Sequence, residues 1–572
     1  MNEKILSSLD LSILKHVSKE NLMEHVKYLC TLQRISGTEG EYRAVDYIVS
    51  KLKEYSLEAK VYEFDALISR PLSAKVDVIS PDLKSLYAIT HPFSLSTSED
   101  GIISELVYAK NGKMDDYGSI DVKGKIVLTD GNASPEKAWI AQNMGAIGIV
   151  NISNEEVPHE MIITTIWGTP SIKTCHRIPK IHVASIGKGE GEYLKKTLMK
   201  EKVVIKLYTK TDTGWCKLRM PVATVDGTIE KEKFVLIGGH LDSWYYGATD
   251  NATGNACCLE IARILSQKNV RLRRSVRIAW WVGHSQGRYA GSTYYVDREW
   301  DDLNKNCIAY VNVDSPGSKD ATVYLLESMP ETIDFSEYLA RKLTGLKVER
   351  LKPGRWGDQS FWGLGAPSID CYSMAPEDKR ANVGGSGGGW WWHTPYDTIE
   401  YVDPEFLVRD TQVNLAIVLA LANSTILPLK FSRNAELYVN IIADLKKYDR
   451  KNTLGLNALE DKSMKLKMLL EKVEILYDRI DSNKSSKLNN MFLKLSRILN
   501  PTLFTFKGRY EQDYAVDEPY LPGLSKIMEL EKLDEDNARF LITTLIRERN
   551  RVSDTLDDAI TLVEETLNKI YS

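Results

Sequence analysis

The stretch VLIGGHLDSWYYGATDNATGNACCLEIARIL, Val235 to Leu265, decides the reading of this chain. An apolar strand ends in Gly-Gly. A loop carrying His240, Asp242 and Asp250 follows, and apolar residues resume at helical spacing from Asn255. Neutral imidazole and carboxylate are the ligands a borderline cation such as Zn²⁺ takes. Asp242, two residues beyond His240, is placed to accept the other ring N–H and fix the tautomer. The plainer alternative is a strand-to-helix loop in which Asp250 and Asn251 satisfy helix amides.

Outward from this stretch, strands and helices alternate. FVLIGG is followed by a helix from Asn255, SVRIAWWV by a helix near Tyr289, and CIAYVNVD and ATVYLLES by a helix from Thr332. The pattern predicts an α/β sheet covered on both faces, with its chemistry at the carboxyl ends of strands. Two of those ends add ligand types: Asp314 closes CIAYVNVD, and GGWWWHTPYDTIEYVDP offers His393, Thr394 and Asp397. Buried carboxylates need a partner, and a shared metal accounts for such groups at successive loops better than separate coincidences do.

Upstream, two helices are expected between Glu20 and Leu57, separated by RISGTEGEY. Residues 62–215 carry short β-branched runs (KVDVIS, GKIVLTD, AIGIVNI, PKIHVAS) with helical pieces such as Pro135 to Asn143, which predicts a β-rich insert. Beyond about residue 430 the chain is helix-patterned and charge-rich, with long stretches at Leu466 to Ile480 and Asn537 to Ile570 and breaks at Pro501, Pro519 and Pro522. A separate helical bundle follows from this, with a face to bury against a partner chain.

The 572 residues hold 74 Lys plus Arg against 78 Asp plus Glu, an ordinary globular balance without the clustered basic excess that nucleic acid requires. Seven scattered cysteines without a CxxC pair suit reduced thiols. No uncharged apolar core of signal-peptide length occurs in Met1 to Val17, so a cytoplasmic location is expected. The most apolar run, LAIVLALA at Leu415 to Ala422, is too short to cross a membrane and reads as a core helix.

GGHLDSW, GATDNATG, VNVD and HTPYDTIEYVDP, in this order, resemble the metal motifs of the zinc aminopeptidase and glutamate carboxypeptidase family, which includes the catalytically silent transferrin receptor. The resemblance covers nearly the whole chain. It implies a mixed sheet covered by helices and two zinc ions bridged by Asp250, one also held by His240 and Asp314, the other by His393. VKGKIVLTDGN and RIPKIHVAS are similar to a protease-associated domain, and the carboxyl-terminal helices resemble a dimerisation bundle, so a homodimer is expected. The implied domains are 1–62 (amino-terminal part of the peptidase-like domain), 63–215 (insert), 216–430 (main α/β domain) and 431–572 (helical domain).

One departure bears on activity. After SVRIAWWV the family has two adjacent glutamates, the first a general base and the second a ligand of the second zinc. This chain has GHSQGRYAGSTYYVD, Gly283 to Asp297, so His284, Ser285 or Gln286 occupies the place. His284 is the metal ligand or base among the three. One carboxylate fewer leaves the metal pair more positive, which weakens the second ion and lowers the pKa of its water further. Trp244, Tyr245, Tyr246 and Trp390 to Trp392 flank the ligands, with Trp392 a candidate substrate contact. Arg288 and Arg355 are candidates for holding a substrate carboxylate, and Tyr372 for polarising a scissile carbonyl. The expected function is exopeptidase cleavage of peptides through a metal-bound water. The alternative is a metal-binding homologue that acts only as a protein-interaction module.

Overall fold

The computed structural model describes residues 5–381, 383, 385, 387–449, 452–477 and 482–571. Thirteen strands form one continuous sheet among the described residues. They are β1 (Ala59–Ser80), β2 (Lys84–Thr90), β3 (Ile102–Tyr108), β4 (Ile126–Asp130), β5 (Gly148–Ile152), β6 (His182–Ile186), β7 (Val204–Val225), β8 (Glu230–His240), β9 (Arg274–Trp281), β10 (Cys307–Asn312), β11 (Val323–Leu326), β12 (Lys347–Arg350) and β13 (Ser368–Met374). The order is β1-β2-β6-β5-β4-β3-β7-β9-β8-β10-β13-β11-β12, with β1 also paired to β7.

The two 22-residue strands β1 and β7 run antiparallel along nearly their whole length and join two units. Their outer ends, with Tyr62, Phe64, Leu218 and Met220, pack into the main core. Their inner ends, with Val76, Val78, Ile205 and Leu207, pack into the core of the insert. The boundaries 62/63 and 215/216 read from the sequence fall inside these strands. Alternation of side chains along an unbroken strand carries no mark of the point where it changes core.

In the main unit β9, β8, β10 and β13 are parallel, β7 and β11 add antiparallel neighbours, and the sheet is mixed as expected. Both faces are covered. The helix Thr253–Leu265 is buried at nearly every position, and Leu415–Ala422 lies wholly buried in the helix Pro404–Asn423, as its composition predicts. No helix among the described residues is long and apolar enough to cross a membrane.

The amino-terminal helices are Lys19–Leu29 and Glu39–Glu54. The carboxyl-terminal bundle contains Ser432–Leu445, Leu456–Ile475, Ser482–Phe504 and Glu535–Tyr571. Asp478, Arg479 and Ile480, expected to end a long helix, lie outside the described residues. Pro501 does not break the chain as expected. It sits in the last turn of Ser482–Phe504, where little helix remains to be disrupted.

Arg34 ties the amino-terminal helices to the loop after β8. Fully buried, it donates from Nε to Leu241 O (2.8 Å), from Nη1 to Leu29 O (2.8 Å) and Tyr246 O (2.8 Å), and from Nη2 to Gly247 O (2.9 Å). The carbonyls of Leu29, Leu241 and Gly247 are buried and have no water to turn to. Arg34→Met therefore removes the donors of several buried acceptors at once and is expected to destabilise by about 3 kcal/mol or more, read by chemical denaturation.

Candidate metal centre

The chain after β8 leaves the sheet with His240 as its last strand residue, and Asp250 returns to the same point just before the helix Thr253–Leu265. Asp397 fixes the loop. Its Oδ1 accepts from Thr249 N (2.9 Å) and Oγ1 (2.8 Å), and its Oδ2 from Asp250 N (3.0 Å). Burial pushes the Asp397 carboxyl up to about 7.

His240 Nε2 lies 2.8 Å from Asp250 Oδ1, and His393 Nε2 lies 2.9 Å from Asp250 Oδ2. Asp314 Oδ1 stands 3.8 Å from His240 Nε2. Each imidazole donates Nδ1–H to a main-chain carbonyl, His240 to Asp242 O (2.9 Å) and His393 to Glu160 O (2.6 Å). A carbonyl only accepts, so in the neutral rings both Nε2 lone pairs point at the carboxylate. Only a cation between them, a proton or a metal, makes that arrangement favourable. The ligand atoms of His240, Asp250 and Asp314 fall within 4.8 Å of one another. Nitrogen and oxygen donors in this set fit zinc.

The electrostatics agree. Burial opposes a charge on His240, but Asp250 and Asp314 overcome it and hold the imidazole well above its ordinary range. Burial likewise raises Asp250, yet the two imidazoles hold it well below the usual carboxylate range.

Asp242 differs from expectation. Its main-chain carbonyl, not its carboxylate, orients His240. The carboxylate instead accepts from His284 N (3.0 Å), Ser285 N (2.7 Å) and Ser36 Oγ (3.2 Å), and so shapes the turn that replaces the glutamate pair. Within that turn Gln286 is buried and accepts from Ser36 N (2.9 Å), while the buried Ser285 Oγ has no partner. His284 is the member that reaches the site. Its ring stacks on His240 at 3.9 Å, and Nδ1 pairs with Asp358 Oδ2 at 2.8 Å. Asp358 in turn accepts from Ser292 Oγ (2.7 Å). The Asp358 partnership was not visible in the sequence, because 74 residues separate the two.

A cavity of about 540 Å³ opens over the centre, and Asp250, His284, Asp314 and His393 are among its walls. Trp392 lines it and stacks on His393 at 3.5 Å. Arg288 lines it as well and makes no ion pair among the described residues. Arg355 reaches the cavity, but its Nη2 donates to Asp513 Oδ2 (2.6 Å) and Phe504 O (2.6 Å), a structural ion pair rather than a free carboxylate clamp. Tyr372 is likewise committed: its hydroxyl donates to Glu327 Oε1 at 2.5 Å and has no proton left for a scissile carbonyl. Trp244 and Tyr245 line a different cavity.

Residues 222–418 match the model of peptidase family M28, and residues 102–194 match the PA domain. The chain is 22% identical over 595 aligned residues to the probable glutamate carboxypeptidase VP8 of Zea mays, covering 86% of this chain and 81% of that one. It is 28% identical over 389 residues to the aminopeptidase YwaD of Bacillus subtilis, covering 65% and 78%. Its fold is that of an aminopeptidase from Aneurinibacillus sp. strain AM-1, with a TM-score of 0.57 at 24% identity over 72% of this chain and 96% of the other. The family resemblance, the mixed α/β fold and the inserted PA domain read from the sequence are borne out by these matches.

Glu160, from the insert, clasps His393 from both sides: besides accepting its Nδ1–H, it donates N–H to His393 O (3.0 Å). Burial pushes its own carboxyl up to about 8, with Tyr245 OH donating to Oε1 at 3.1 Å. The native state therefore binds a proton that the unfolded chain releases above its ordinary pKa of 4.5, and this contribution to stability is lost as pH rises toward about 8. Glu160→Gln removes the ionisation. It should gain on the wild type by an order of a few kcal/mol between about pH 5 and about pH 9, read by denaturation at both.

Proposed function

From the match of residues 222–418 to peptidase family M28 and of residues 102–194 to the PA domain, we propose that this protein is a zinc-dependent exopeptidase. The observation that carries the reading is Asp250, whose two oxygens each face the free nitrogen of an imidazole. Such a carboxylate could serve two zinc ions, which His240 and Asp314 on one side and His393 on the other would help to hold. Bound there, zinc supplies Lewis-acid polarisation of a peptide carbonyl and lowers the pKa of water.

The chain's own residues do the rest. His284 gives its Nδ1–H to Asp358, so Nε2 is the ring nitrogen left to accept a proton at the cavity. A carboxylate that holds an imidazole in one tautomer and stabilises its charged form is a recurrent base arrangement. It replaces the missing glutamate as proton acceptor and then returns the proton to the leaving amine. Ser292 holds Asp358 in place. Trp392 packs on His393 and excludes water from one side, and Arg288, without an ion pair among the described residues, is a cation available to a substrate carbonyl or carboxylate. A second ion would have one carboxylate fewer to hold it than the family provides and would bind the more weakly of the two.

The other reading, a silent metal-binding module, is favoured by Ser285 and Gln286, which are buried and offer no carboxylate. One experiment separates the readings. Zinc content per chain and hydrolysis of a mixed peptide library are measured for the wild type, Asp250→Ala, His284→Ala and Asp358→Asn. Asp250→Ala should lose most of the metal. His284→Ala should keep the His240–Asp314 ion yet lose a factor of about 100 or more in kcat, and Asp358→Asn about 10 to 100. Zinc-loaded wild type that hydrolyses nothing would establish the silent module, and unaltered turnover in His284→Ala would remove His284 as the base.

A further inference from the structure

The wall of the cavity opposite the His284 turn is a strand face. Strands β11 and β13 are antiparallel, with Leu325 opposite Tyr372 and Leu326 opposite Cys371, and the next pair is Glu327 and Asp370, whose main chains join through Glu327 N to Asp370 O (2.9 Å). Alternation turns Leu325, Glu327, Asp370, Tyr372 and Met374 to the cavity, while Leu326, Ile369 and Cys371 enter the main core. The result is an apolar wall with two carboxylates at its floor.

Those carboxylates are unequal. Glu327 accepts from Tyr372 OH, from Trp356 Nε1 (2.8 Å) and from Gly354 N (3.3 Å). Asp370 is 5% exposed. Its Oδ2 accepts from Asn312 Nδ2 (3.2 Å) and Gln359 Nε2 (3.2 Å), and its Oδ1 has no partner among the described residues. A carboxylate oxygen kept inside a protein without donor or cation is costly, the more so beside a second acid. Of the cations that line the cavity, Arg355 is engaged with Asp513 and Arg380 with Ala375 O, and Arg288 belongs to the segment after His284 on the other wall.

We propose that Asp370, with Glu327 beside it, forms a subsite for the cationic head of a lysine or arginine side chain of the peptide substrate, an inference that rests on the peptidase reading above. Depth selects the side chain over a terminal ammonium. Asp370 pairs with Asn312 on the parallel strand β10, and Asp314 follows two residues further, a rise of about 6–7 Å. A group one or two bonds from a carbonyl held at the metals does not span that distance. A four-carbon stem does, with Leu325 and Met374 to pack against. Burial, with the charges of Glu327 and Asp314, holds the Asp370 carboxyl well above its usual range, and an arriving cation offsets all three causes.

The test uses the zinc-loaded full chain with the tripeptide series Xaa-Ala-Ala and Ala-Ala-Xaa, where Xaa is Lys, Arg, Leu or Gln. In whichever series is cleaved, kcat/KM for Lys and Arg should exceed that for Leu by about 10-fold or more, and Asp370→Asn should cut the Lys-to-Leu ratio by about 10-fold. Glu327→Gln should shift it in the same direction by less, and it carries the comparison if the Asp370 variant does not fold. Preference for Leu in the wild type, or an unchanged ratio in the folded variants, overturns the subsite. Absence of all hydrolysis overturns the peptidase reading instead. In that event calorimetry with lysinamide and leucinamide decides: selective lysinamide binding lost in Asp370→Asn supports the subsite, and equal binding of the two overturns it.

Discussion

Two imidazole lone pairs aimed at one carboxylate cannot rest in a protein interior without a cation between them, and the site of this protein is organised around that constraint. Asp250 receives His240 on one oxygen and His393 on the other, and both rings are locked in the tautomer that aims Nε2 inward. Every nearby polar contact works toward keeping the partners in register. Asp397 holds the main chain of the Asp250 loop, Arg34 gathers the carbonyls of the segment before it, and Asp242 shapes the turn from which His284 projects. The charge that these groups share explains why buried acids here are tolerated at all.

The PA insert is part of this arrangement. Its Glu160 backbone both donates to and accepts from His393, so this imidazole is oriented by a segment that the chain passes through more than 200 residues earlier. His159 adds a second tie, its Nδ1 donating to Trp392 O at 2.5 Å. Strands β1 and β7 make such a contact possible, since one unbroken ribbon carries the insert rigidly from the main sheet. A flexible tether would leave the orientation of His393 to chance.

The loss of the glutamate pair has a local physical answer. With Ser285 and Gln286 turned into the protein, the turn presents an imidazole instead, and a carboxylate reappears one step further out as Asp358, bonded to that imidazole. In the proposed reaction the imidazole would both accept and return the proton, and Asp358 would hold it in one tautomer. On the opposite wall of the cavity the buried Asp370, whose Oδ1 has no partner among the described residues, gives the site a second electrostatic feature.

The ligand types and their strand-end positions were legible in the sequence because they are local. An apolar strand, a loop of His and Asp and a helix of buried residues are neighbours along the chain, and the alternation of strands and helices declares the sheet. His240, Asp250, Asp314 and His393 were all readable in this way, whereas the departure at His284 was legible only against the family that the chain resembles. What a side chain touches was not readable. That Asp242 serves the His284 turn, that Arg355 is bound to Asp513 and that Tyr372 donates to Glu327 depend on groups brought together across 42, 158 and 45 residues. Sequence spacing determines which residues share a strand or a turn. Only the packing of distant strands decides which donor meets which acceptor, and so whether a carboxylate or a guanidinium at the cavity is already satisfied or still free to bind.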